Sequence, residues 1–148
     1  MAVANRIKFG KEESALPSEG SFVFVEGIRL HVLRKWAGTP VVLLHGGILS
    51  ANDFDGVMDQ LASRGYEAIA FDRPGYGRSE RPPGRVTPAD QARLIRGALQ
   101  QMGVEKPVIA AHSWSGPLAM TYALHYPDDL SGVVVIAGAM YKEGYPAE

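Results

Sequence analysis

The chain has 148 residues, 46% of them hydrophobic, enough for one domain with a substantial core and too few for a second full domain. Its formal net charge of -1, with both signs mixed along the chain, leaves no electrostatic footprint for nucleic acid or an anionic membrane. The absence of cysteine excludes a disulfide framework, a thiolate nucleophile and a cysteine metal site, and it is compatible with a soluble protein of the reducing cytoplasm, the expected location.

Residues 1–20 carry a few basic side chains and no apolar core, so they read as a polar lead-in and not as a signal peptide. Segments 21–26 and 28–36 are β-rich and meet at Gly27, which predicts a hairpin turning at Glu26-Gly27. The unbroken apolar run 40–44 is the pattern of a strand covered on both faces of a parallel sheet. Beyond His45-Gly46-Gly47, a polar loop offers Ser50, Asn52 and Asp53 as helix caps, and Phe54, Val57, Met58 and Leu61 recur at helical spacing up to Gly65. Segment 66–71 is a further strand, and 72–84 is a Gly/Pro-rich surface loop. Thr87, Pro88 and Asp90 form a capping start for a helix whose stripe is Leu94, Ile95, Ala98, Leu99 and Met102, ending at Gly103. Then come a short strand at 107–111, a helix at 113–125 halted before Pro127, and a strand at 133–137. Alternation of this kind predicts an α/β fold: one domain over 21–148, with a mostly parallel sheet and helices on both faces. The longest apolar runs, such as 133–140, fall far short of the roughly 20 residues needed to cross a bilayer.

The chemistry concentrates in VIAAHSWSGPLAM, where an apolar strand runs into Ser113, flanked two residues on either side by Ala111 and Ser115, and a helix follows at once. Small-x-nucleophile-x-small is the pattern of a nucleophile elbow, whose cramped strand-to-helix turn excludes larger neighbours. Such a turn aims the backbone N–H of Trp114 and the positive end of the helix at the place where an oxyanion would form. Gly47, in the loop after 40–44, is the candidate for a second donor, with Ile48 the alternative. Ser115 as nucleophile would need Pro117 at the downstream small position, which is bulkier and lies inside the helix.

Four stretches in this order, VVLLHGG, FDRPGYGRS, HSWSGPLAMTYALHYPDDL and GVVVIAG, resemble the α/β-hydrolases of the esterase, lipase, epoxide-hydrolase and haloperoxidase group. The resemblance implies strand order 1-2-4-3-5-6, Ser113 as nucleophile, Trp114 and Gly47 as oxyanion donors, and His45 and Asp72 as residues that brace loops. It also implies a serine enzyme acting on esters or similar small acyl compounds, without cofactor or metal. An aspartate, not a serine, serves the family's epoxide-hydrolase and dehalogenase chemistry.

The family's catalytic acid and histidine follow its seventh and eighth strands. Those strands and the lid are missing here, so the resemblance implies the N-terminal portion of a hydrolase. Asp72, ahead of Arg73-Pro74-Gly75, fits a turn-tying role better than that of a triad acid. His112 adjoins Ser113 but points elsewhere on a tight turn. His31 and His125 read as ordinary strand and helix residues, and Asp128, Asp129 and Glu143 as solvated surface. The fully apolar strand 133–136 would form an open edge, so the chain is expected either to continue beyond Glu148 or to pair there with a complementing chain or another copy. The rival to an enzyme is an inactive remnant or a partner-binding module using that edge.

Overall fold

The computed structural model describes residues 20–47 and 49–139; residues 1–19 of the lead-in, Ile48 and Glu143 lie outside the described residues. Among the described residues, six strands, β1 (Ser21–Val25), β2 (Ile28–Lys35), β3 (Thr39–Leu44), β4 (Tyr66–Phe71), β5 (Val108–His112) and β6 (Gly132–Ile136), form one sheet. Their order is β1-β2-β4-β3-β5-β6, as expected. β1 and β2 pair antiparallel with Val25 opposite Ile28, so the turn is the two residues Glu26 and Gly27, at φ 52° and 79°. Positive φ at both central positions makes the tight turn whose twist matches that of the flanking strands. From β4 to β6 all pairings are parallel. Leu44 lies level with Phe71 and with Ala111, and His112 with Ile136, so the loops after these strands emerge on one rim.

Among the described residues, three α-helices cover the two faces. Helix α1 (Asp55–Ser63) follows a 3-10 turn (Ala51–Phe54) opened by Ser50, whose amide donates to the Asp53 carboxylate at 2.7 Å. Together they pack Ala51, Met58, Phe54 and Leu61 on Leu33, Val41, Leu43, Ala68 and Ala70. Val57 is 48% exposed, because it precedes the buried Met58 by one residue, or 100° of helix, and falls on the flank of the stripe. Helix α2 (Pro88–Gln101) starts from Thr87, whose hydroxyl accepts from the Asp90 amide at 3.1 Å. Its Leu94, Ile95, Ala98 and Leu99 join Leu118, Ala119 and Tyr122 of α3 (Ser115–His125) on the opposite face. Each fully buried Leu or Ile there contributes about 1.5–3 kcal/mol.

Among the described residues β6 is the outermost strand on its side of the sheet, with Val134, Val135 and Ile136 exposed. No helix among the described residues is long and apolar enough to cross a membrane.

Candidate active site

The loops leaving β3, β4 and β5 meet at the carboxyl ends of the parallel strands, where open α/β sheets bind ligands. Segment 113–125 was expected as helix throughout, but α3 begins at Ser115, and Ser113 has φ 52°. That left-handed conformation is disfavoured for a side chain with a β-carbon, so the turn between β5 and α3 is strained at Ser113 itself. The strain is held by the end of β6: the Ser113 amide donates to the Ile136 carbonyl at 2.9 Å, and the Ala139 amide donates to the Ser113 carbonyl at 3.1 Å. The side chain of Ser113 is half-buried. Ser113→Gly is therefore expected to stabilise the fold by about 0.5–1 kcal/mol in urea denaturation, because glycine occupies positive φ without cost.

The HGG loop presses against this elbow. A β-carbon built on Gly46 would lie 2.9 Å from His112 Nδ1 and 3.1 Å from Ser113 Cβ, so only glycine leaves both side chains in place. One built on Gly47 would stand 3.4 Å from the Trp114 indole, in ordinary contact. Gly47 and Trp114 are thus neighbours across the gap between the two loops, and the indole remains 52% exposed. Ser115 is fully buried, and its hydroxyl donates to the His45 carbonyl, which binds α3 to the HGG loop and removes that hydroxyl from solvent.

His45 is fully buried. Its Nε2 accepts from the Arg73 amide at 2.9 Å, so the proton resides on Nδ1, which donates to the Gly46 carbonyl at 2.8 Å. Burial lowers its pKa, with the charge of Arg73 adding to the effect against the Gly46 bond, so the ring is a neutral brace.

Asp72 gathers the rim further along. Its carboxylate accepts from His31 Nδ1 at 2.8 Å, the Ala51 amide at 2.8 Å and the Arg78 amide at 3.0 Å. Burial pushes the carboxyl up, but the bonds from His31, Ala51 and Arg78 outweigh it and hold the pKa below the ordinary 3.8. A β-carbon on Gly77 would sit 2.4 Å from this carboxyl, so the GYG turn closes only around glycine.

His31, read from sequence as an ordinary strand residue, is 1% exposed and paired with Asp72. It stands three strand spacings from β5, roughly 14 Å at about 4.8 Å each, too far to serve Ser113. Arg73 is a second residue that the sequence left unnoticed: its side chain is 3% exposed, under the same loop. Its signal was only its place next to Asp72. Asp129, expected to be solvated, pairs with Arg96.

Among the described residues no histidine ring hydrogen-bonds the Ser113 hydroxyl, and no three His, Asp or Glu side chains group as a metal would require.

The model for the alpha/beta hydrolase fold matches residues 39–147. The chain is 38% identical over 101 residues to Protein ABHD14A of Danio rerio, covering 66% of this chain and 37% of that protein. It is 34% identical over 119 residues to Epoxide hydrolase B of Mycobacterium tuberculosis, covering 75% of this chain and 33% of that protein. Among solved structures, an esterase from Exiguobacterium antarcticum superposes with a TM-score of 0.77 at 28% identity, over 86% of this chain and 50% of the esterase. The chain thus spans no more than half the length of these relatives.

Proposed function

Because the chain belongs to the alpha/beta hydrolase fold family, we propose that it carries the nucleophile and oxyanion donors of a serine hydrolase acting on carboxylic esters or related acyl compounds. The observation that carries this is Ser113 at φ 52°, half-buried and pressed by Gly46, at the junction of β5 and α3. Its hydroxyl oxygen attacks the acyl carbon, and the Gly47 and Trp114 amides receive the negative charge of the tetrahedral intermediate. Collapse of that intermediate expels the alcohol and leaves an acyl-serine, which water then hydrolyses. Proton transfer falls to an acid and a histidine supplied from outside the described residues, so the chain by itself is expected to react only slowly, and with activated esters and fluorophosphonates. The fold likeness extends to epoxide hydrolases as well as to an esterase, and what favours acyl chemistry is a serine where epoxide-opening members use a carboxylate.

The test is hydrolysis of p-nitrophenyl acetate and butyrate by the chain, with Ser113→Ala as control. Hydrolysis above the buffer rate that disappears in Ser113→Ala supports the proposal, and hydrolysis unchanged in that variant sinks it.

The exposed Val134, Val135 and Ile136 on β6 favour a second reading, a module that binds a complementing chain or another copy along this edge. Under it, Val135→Lys abolishes concentration-dependent association in sedimentation velocity. A wild-type chain that stays monomeric at all concentrations and captures no complementing hydrolase segment contradicts it.

A further inference from the structure

Arg73 is a buried cation without a counter-charge: among the described residues no carboxylate pairs with it. Its partners are neutral. Nη1 donates to Gln91 Oε1 at 3.3 Å, Nη2 donates to the Gly47 carbonyl at 3.4 Å, and the guanidinium carbon lies 4.3 Å over the Tyr76 ring. Nε, also buried, has no acceptor among the described residues. Tyr76 in turn sets its ring at 5.6 Å from that of His45, roughly edge-on. Both side-chain hydrogen bonds are at the long limit and return little for taking a charge out of water. Burial pulls the Arg73 pKa below its ordinary value, against an opposing contribution from Tyr76. A poorly compensated charge next to a reactive centre is a common mark of function, where stability yields to activity.

We propose that Arg73 is a positioning residue for the oxyanion loop: it backs the Gly47 carbonyl, orienting the HGG loop against Ser113 and Trp114, and places a positive charge behind that loop. This rests on the acyl-enzyme proposal for Ser113. The backbone amide of Arg73, which braces His45, is independent of its side chain, so side-chain variants isolate the contact with Gly47 and the charge.

The experiment measures the rate constant for fluorophosphonate labelling and the Tm of the full chain for wild type, Arg73→Met and Arg73→Lys. Arg73→Met removes a charge without a counter-ion and is expected to keep or raise Tm while slowing labelling about 10- to 100-fold, the scale of a misplaced catalytic group. Arg73→Lys restores charge without the planar fork and is expected to recover part of the rate. Labelling of Arg73→Met at the wild-type rate, or a fall in rate and Tm together that lysine does not relieve, overturns the inference. If the wild type does not label, the acyl-enzyme proposal fails separately. The positioning role is then judged by iodide quenching of Trp114 in a Trp36→Phe background: stronger quenching in Arg73→Met supports it, and unchanged quenching overturns it.

Discussion

Asp72→Ala is expected to destabilise the chain by about 3–5 kcal/mol in urea denaturation, the largest stability loss of any single change at the rim. Three donors, His31 Nδ1 and the amides of Ala51 and Arg78, would lose their shared acceptor at once. At about 1–3 kcal/mol for each buried group left unsatisfied, the sum reaches this range even if one of them finds water. Asp72→Asn keeps one acceptor oxygen and should lose roughly half as much. The pH dependence has a definite sign. Because the folded carboxyl titrates below its ordinary 3.8, its contribution is whole above that pH and is lost as the pH falls through the lower folded value. Acid titration of stability should therefore be steeper below pH 3.8 in the wild type than in Asp72→Asn. Equal slopes would remove the carboxylate from the rim's energetics.

Gly46→Val is expected to slow reaction at Ser113 about 100-fold or more while costing the fold only about 1–3 kcal/mol. The added β-carbon would fall within 2.9 Å of His112 Nδ1 and 3.1 Å of Ser113 Cβ, so the imidazole or the serine must move. Gly47→Ala is the control. Its β-carbon meets Trp114 at 3.4 Å and its backbone amide is retained, so its labelling rate should stay within a few-fold of wild type. Fluorophosphonate labelling rates for the two variants, set beside their urea midpoints, decide the matter. If the two variants slow equally, the steric basis of the elbow's geometry is wrong.

Much of the architecture was legible because local chemistry and sheet periodicity agree. Glu26-Gly27 turns the hairpin, strand β4 spans Tyr66–Phe71 as its apolar run predicts, and Thr87, Pro88 and Asp90 open α2. Strand order came from resemblance, since no local signal tells β2 to pair with β4 or β3 to insert between β4 and β5. The start of α3 was misplaced by two residues because helical periodicity runs through Ser113, and only the tight turn from β5 forces it to positive φ. The same limit hid His31 and Arg73. Arg73 is enclosed by Tyr76 of its own loop and by Gly47 and Gln91, 26 and 18 residues away, and His31 by the loop 72–84 folding back over β2, where the Glu80 amide donates to the Arg29 carbonyl at 2.8 Å and Ser79 Oγ accepts from the His31 amide at 2.9 Å. Contacts 18 or more residues apart leave no trace in a local window of sequence.

The strain at Ser113 links fold and chemistry: a serine is retained in a conformation that glycine would adopt at no cost, beside a loop that tolerates no side chain at Gly46. The most direct measurement is mass spectrometry of the chain after treatment with a fluorophosphonate, with the adduct located by peptide sequencing. A single adduct on Ser113, absent from heat-denatured chain and from Ser113→Ala, is the predicted result. An adduct on Ser115 or another hydroxyl, or equal labelling of native and denatured chain, would contradict it.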